Sequence, residues 1–205
     1  MSQVTPNTFS TINTQQEILR FPKGGKPTLA PNEWQVWEPQ EESELPTELA
    51  NSKVLVPFSW WCSQVEGHQK EAGVLATAKK GQLGVWFAAD DDILKHAEVI
   101  ENGKKVWPVV AAHFPIFRDG RSFSTAALLR GRFQWDGEIR AIGDVLIDQL
   151  LQGARVGFDS FALRPDQKVD VALKQFDLFS VTTQNSWRGK RTLLATNQAS
   201  INSVP

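Results

Sequence analysis

A chain of 205 residues, 41% of them hydrophobic and 22% charged, can bury a core without disulfide or metal staples. Its 22 basic and 23 acidic residues leave a formal net charge of -1, which excludes recruitment to nucleic acid or an anionic membrane by bulk charge. The single cysteine, Cys62, excludes an internal disulfide, a C-x-x-C redox pair and a thiolate-bound zinc or iron-sulfur site within one chain.

The chain opens M-S-Q-V-T-P-N-T-F-S, with no basic segment leading into an apolar one, and no stretch approaches the ~18 apolar residues that span a bilayer. A cytoplasmic protein is expected, without a membrane anchor. Residues 1–16 are polar and aperiodic and predict a disordered tail. Residues 17–48 predict a β-hairpin turning at Lys23-Gly24-Gly25-Lys26, followed by an acidic linker from Glu38 to Glu48. The α/β domain is expected over 49–185, and a second disordered tail over 186–205.

Within 49–185 short apolar runs alternate with helical periodicity. Val54 to Val56 precedes a helix with Pro57 in its first turn and Phe58, Trp61, Val65 and His68 on one face. Leu83 to Ala89 precedes a helix from Asp91 to Ile100, and Val109 to Ala112 precedes one from Ser122 to Phe133. Ile139 to Ile142 precedes one from Asp144 to Val156, and a last strand runs from Phe158 to Leu163. Repeated βα units of this length predict an α/β fold with a mainly parallel sheet, preceded by the hairpin. Spacing alone leaves an open doubly wound sheet and a partial barrel both standing. In either, ligands meet the carboxyl ends of the strands.

Those ends gather charge. Asp90-Asp91-Asp92 reads as helix capping or, alternatively, as a carboxylate cluster for a divalent cation. In Arg118-Asp119-Gly120-Arg121-Ser122-Phe123-Ser124 a strand turns into a helix, whose unpaired N–H groups and flanking guanidiniums suit a phosphate, sulfite or carboxylate. The structural alternative pairs Asp119 with an arginine and gives Gly120 a special φ. Glu138 and Arg140 share one face of their strand, opposite Ile139 and Ala141. A central Arg140 requires a carboxylate or bound anion, with Asp119, Asp144 and Asp90 as candidates. Asp144 reads as the cap of the following helix, with Asp148 on its less apolar face.

Several chemistries lack their motifs. The sequence contains no G-x-G-x-x-G after a strand, no G-x-x-x-x-G-K-[ST], no G-x-S-x-G and no H-E-x-x-H. His68, His96 and His113 are too far apart for a metal-ligand spacing. Cys62, between Trp61 and Ser63, reads as a buried small hydrophobe.

The run F-P-I-F-R-D-G-R-S-F-S-x-A-x-L-L-R, then G-E-I-R-A-I-G-D-V-L-I-D-Q-L and G-F-D-S-F-A-L, resembles the bacterial family known as domain of unknown function 934. The resemblance covers about residues 30–185 and takes in K-V-L-V-P upstream and F-S-V-T-T-Q downstream. Members are commonly labelled oxidoreductases involved in sulfite reduction, from the neighbourhood of genes for the sulfite reductase hemoprotein. That implies a pathway rather than a reaction. Thr183 and Val156 stand where relatives often carry a tyrosine and a cysteine, so no role here can rest on that phenol or thiol. Arg118 replaces a more usual small polar residue, which moves the weight of the motif to Asp119, Gly120 and Arg121.

Two functional expectations follow. One is a protein of assimilatory sulfite reduction that binds a small anion or phosphate-bearing cofactor through Asp119, Gly120, Arg121, Ser124, Arg140 and Asp144, with no metal and the cofactor's identity open. The other is a non-catalytic accessory that docks on the sulfite reductase hemoprotein.

Overall fold

The computed structural model describes residues 10–11, 16–39, 52–66, 71–179 and 183–189. Most of both expected tails, most of the acidic linker and His68 lie outside the described residues.

Among the described residues, nine strands form one sheet: β1 (Ser10–Thr11), β2 (Glu17–Arg20), β3 (Thr28–Pro31), β4 (Trp34–Glu38), β5 (Lys53–Pro57), β6 (Leu83–Phe87), β7 (Val109–Phe114), β8 (Glu138–Gly143) and β9 (Ser160–Phe161). Their order is β1-β4-β5-β6-β7-β8-β9-β2-β3. Strands β4 to β9 pair in parallel, while β1 and the β2–β3 hairpin add antiparallel edges. The helices are α1 (Phe58–Glu66), α2 (Glu71–Lys79), α3 (Ala97–Gly103), α4 (Arg121–Gly131), α5 (Leu150–Val156) and α6 (Val169–Leu173).

Strand order decides between the two expected architectures. Strands β3 and β4 stand near opposite edges, yet only Asn32 and Glu33 join them. Three Cα steps reach at most about 11 Å, so the sheet must curl until its edges approach. Its buried side chains divide accordingly. Ile18, Trp34, Val36, Leu55, Trp86, Val109, Ala111, Ile142 and Ala162 form a core made only of strand residues and the turns that end them. A second core places the other face of the same strands, with Val56, Val85, Val110, Ile139 and Phe161, against Trp61, Leu129 and Ala154 of the helices. The fold is therefore a partial α/β barrel with a packed interior and helices outside. Val54, Leu55 and Val56 are wholly buried because both faces of β5 are covered. Gly84 marks how tight the interior is, since a Cβ there would lie 2.3 Å from the Val109 carbonyl oxygen and 2.8 Å from Leu55 Cδ2.

Several element boundaries differ from the periodicity. The apolar alternation of the hairpin runs on through Trp34-Gln35-Val36-Trp37, but β4 leaves the hairpin for the opposite edge region of the sheet and pairs with β5. The single helix expected after β5 is two, α1 and α2. The helix expected from Asp91 begins only at Ala97, because the Asp91 carboxylate accepts the Ala88 N–H at 2.7 Å and holds a turn instead. The helix expected from Asp144 is a 3-10 turn at Ile147–Gln149 leading into α5, since Asp144 is engaged elsewhere. The last strand shortens to Ser160–Phe161.

Candidate functional site

The carboxyl rim of the barrel is built first by the loop from β7 to α4. Arg121 donates to Asp119 through Nε at 3.0 Å and Nη2 at 2.6 Å. The Arg121 backbone N–H also points to Asp119 Oδ1 at 3.1 Å. Asp119 thus meets both the guanidinium and the positive end of the helix, and these hydrogen bonds hold its carboxyl down to about 2. Gly120 has φ -85, an ordinary conformation, so the expected special φ at this position is corrected. The residue that needs glycine is Gly143, with φ +91, where a Cβ would meet the Phe114 carbonyl oxygen at 2.4 Å and the His113 ring at 2.5 Å.

That turn carries Asp144 across the strand tops rather than onto a helix. Its Oδ2 accepts the Phe117 N–H at 2.7 Å, and its Oδ1 accepts Arg164 Nη1 at 2.7 Å. Arg164 also forks onto Asp166, at 2.6 and 2.8 Å, which lowers the Asp166 carboxyl to about 2. Gln149 donates to the Phe117 carbonyl at 2.5 Å. The main chain of Phe117 is thus held from both sides while its ring is 50% exposed. Leu94, 48% exposed, stands on the neighbouring loop after β6, whose Asp90 is close enough to act electrostatically on Arg121. Ser122 is buried and donates to the His113 carbonyl at 2.5 Å, whereas Ser124 faces solvent. His113 points into the top of the barrel, its ring 5.4 Å from Trp86, and burial pushes its pKa down against a weaker opposing effect of Glu38.

Arg140 belongs to the opposite mouth. Its register partners are Ala111 and Ser160, and its buried side chain lies inside the barrel. It donates to Glu138 Oε1 through Nε at 3.1 Å and Nη2 at 2.8 Å, to Asn32 Oδ1 at 2.9 Å and to Ser160 Oγ at 3.3 Å. Its carboxylate is therefore Glu138 on its own strand, in place of the expected Asp119, Asp144 or Asp90. Arg20 adds a contact to Glu138 Oε2 at 3.3 Å, and Lys53 pairs with Glu33 at 2.5 Å. These groups surround a cavity of about 270 Å³ at the amino ends of the strands.

The family motifs L-L-R and G-F-D meet outside the barrel. Arg130, 5% exposed, pairs with Asp159 and donates to the carbonyls of Gly157 at 3.0 Å, Trp135 at 2.5 Å and Gly137 at 2.9 Å. Trp187 stacks 4.0 Å over it, at one wall of a cleft of about 540 Å³. Arg188 donates to the carbonyls of Ala154, Phe158 and Phe21, and burial lowers its pKa to about 10. Trp187 and Arg188, expected within the C-terminal tail, thus tie that segment to α5 and the hairpin.

The structure brings Asp119, Gly120, Arg121 and Asp144 to one rim and leaves Arg140 at the other end, with Ser124 turned outward. Sequence reasoning missed Arg20, Lys53 and Asn32 as neighbours of Arg140, because strand order brings Arg20 beside it across Ser160 and the curl of the sheet adds Lys53 and Asn32. The Glu138–Arg140 alternation was the one available signal. Among the described residues no group of three His, Cys, Asp or Glu side chains is placed to hold a metal, and no helix is long and apolar enough to cross a membrane.

Residues 84–194, slightly more than half of the chain, match a family model described as bacterial protein of unknown function (DUF934). No curated protein and no solved structure matches the chain.

Proposed function

The chain belongs to this bacterial family of unknown function, and from that premise we propose that it acts in the cytoplasm as a non-catalytic accessory of assimilatory sulfite reduction. Its carboxyl rim is the face that docks on the sulfite reductase hemoprotein. The observation that carries this reading is Phe117, whose ring is half exposed while Asp144 and Gln149 fix its main chain on both sides. An aromatic ring on an already ordered loop loses little conformational freedom on binding, and such rings anchor protein interfaces. The rim carboxylates Asp119, Asp144 and Asp166 are each engaged by an arginine, which suits them to orient a partner rather than to exchange protons. The pathway and the partner come from the family resemblance.

Copurification at low salt tests the reading. The wild-type chain should coelute with the hemoprotein, and Phe117→Asp should weaken the complex by about 2 kcal/mol, or roughly thirtyfold. Coelution unchanged in that variant, or purified protein carrying flavin or nucleotide absorbance, would overturn it. A second reading, a small anion or phosphate-bearing cofactor at the same rim, is favoured by the 59% exposed Arg121 beside exposed Arg118. Calorimetric titration with sulfite, sulfate, FMN and NADPH tests it, and the absence of heat with all four at millimolar concentration rejects it.

A further inference from the structure

The amino mouth of the barrel has features that structural support alone does not require. Three cations, Arg20, Lys53 and Arg140, line its cavity against two carboxylates, Glu33 and Glu138. Lys53 is paired with Glu33, while Arg20 and Arg140 share Glu138, so one positive charge is left over at the mouth. Arg140 also has donors to spare. A guanidinium carries five N–H bonds. Its Nε–H is divided between Glu138 and Ser160, one Nη2–H goes to Glu138 and one Nη1–H to Asn32. Among the described residues, one N–H on each terminal nitrogen therefore lacks a protein acceptor, in a side chain only 4% exposed. Buried donors of this kind are normally satisfied, and the space beside them, about 270 Å³, exceeds the ~30 Å³ share of one water several times over.

We infer that this amino mouth is a binding site for a small oxyanion of the phosphate or sulfate class, with Arg140 at its floor and Arg20 and Lys53 at its rim. The two spare N–H groups of Arg140 supply charge-assisted hydrogen bonds to the anion. Ser160, fully buried, donates to Glu138 Oε1 at 2.5 Å, which helps keep that carboxylate on the Nε side of Arg140 and the remaining donors available. Trp34, Ile18 and Val109 form apolar walls that limit competing hydration. The site is at the opposite end of the barrel from Phe117, so it does not depend on the docking reading.

The test is calorimetric titration of the full chain with inorganic phosphate, sulfate and sulfite, repeated on Arg20→Gln/Lys53→Gln and on Asp119→Asn/Arg121→Gln. Saturable binding of at least one anion is expected, weakened about tenfold or more by the amino-mouth pair, the scale of one or two lost charge-assisted contacts. The carboxyl-rim pair should bind like wild type. Arg20, Lys53 and Arg121 are exposed and Asp119 is half-buried, and far-ultraviolet circular dichroism checks that each double variant remains folded. No saturable heat with any anion up to about 10 mM, a concentration that would still reveal millimolar affinity, overturns the inference, with the cavity then holding water. Equal affinity in the Arg20→Gln/Lys53→Gln variant, or a loss confined to the carboxyl-rim variant, overturns it as well. Phe117→Asp should leave anion binding unchanged, which separates failure here from failure of the docking proposal.

Discussion

At the amino mouth the Arg140 side chain is 4% exposed and its carboxylate partner Glu138 lies beside it inside the barrel, whereas at the carboxyl rim the Arg121 side chain is 59% exposed and its partner Asp119 belongs to a loop. Both are arginine–carboxylate pairs two residues apart, with similar hydrogen-bond lengths. Burial separates them. Inside, an ion deprived of its partner keeps its desolvation cost with nothing to offset it. Outside, water replaces the partner, and the pair contributes order to the loop more than stability.

The variants that probe this contrast rank by how many buried groups each would leave without a partner. Arg130→Met should be the most damaging, because it strands Asp159 and three carbonyl groups that Arg130 now satisfies. Urea unfolding should show a loss of about 3–5 kcal/mol. Arg140→Met should cost about 3 kcal/mol, since Glu138 would remain in the barrel without its main partner, while Arg140→Met/Glu138→Leu should recover at least half of that. A double variant as unstable as the single one would show that Asn32 and Ser160, and not the ion pair, are what the barrel cannot lose.

A smaller effect is expected from His113. Burial lowers its folded pKa below the ordinary histidine value of 6.5, so the unfolded chain takes up the proton first. Stability should therefore fall as pH drops through about 6.5. A series of thermal melts from pH 7.5 to 5 should show a decline that is reduced in His113→Gln, and a parallel decline in that variant would assign the pH dependence to other groups. The smallest effect belongs to Asp119→Asn/Arg121→Gln, which should leave the urea midpoint unresolved from wild type at moderate salt. A clear loss there would erase the contrast between the two mouths.

The legibility of the sequence followed the same division. The strand segments beginning near Lys53, Leu83, Val109 and Glu138 were readable because central parallel strands are apolar on both faces, and the Lys23–Lys26 turn announced its hairpin. Helix starts were less readable where an aspartate had two possible uses. Asp91 and Asp144 both look like caps, but each accepts a backbone N–H in a loop, from Ala88 and Phe117 respectively. The pairing of Asp119 with Arg121 was readable because its environment is local. Arg140 was recognised as needing a partner, but its neighbours Asn32 and Arg20 are 108 and 120 positions away in the chain, and no local pattern records that distance.

By itself the sequence determined the α/β class, the hairpin and the placement of Glu138 with Arg140 on one strand face, because periodicity fixes which side of a strand each residue occupies. The tertiary structure decided which face of the sheet becomes a barrel interior. It did so through the two-residue link from β3 to β4, which is too short for a flat sheet of this strand order. Curling turned one face inward and set Arg140, which the strand direction places near the amino end of β8 and away from Asp144, among Arg20, Lys53 and Asn32. That regrouping depends on strand order and chain closure, which side-chain periodicity does not encode.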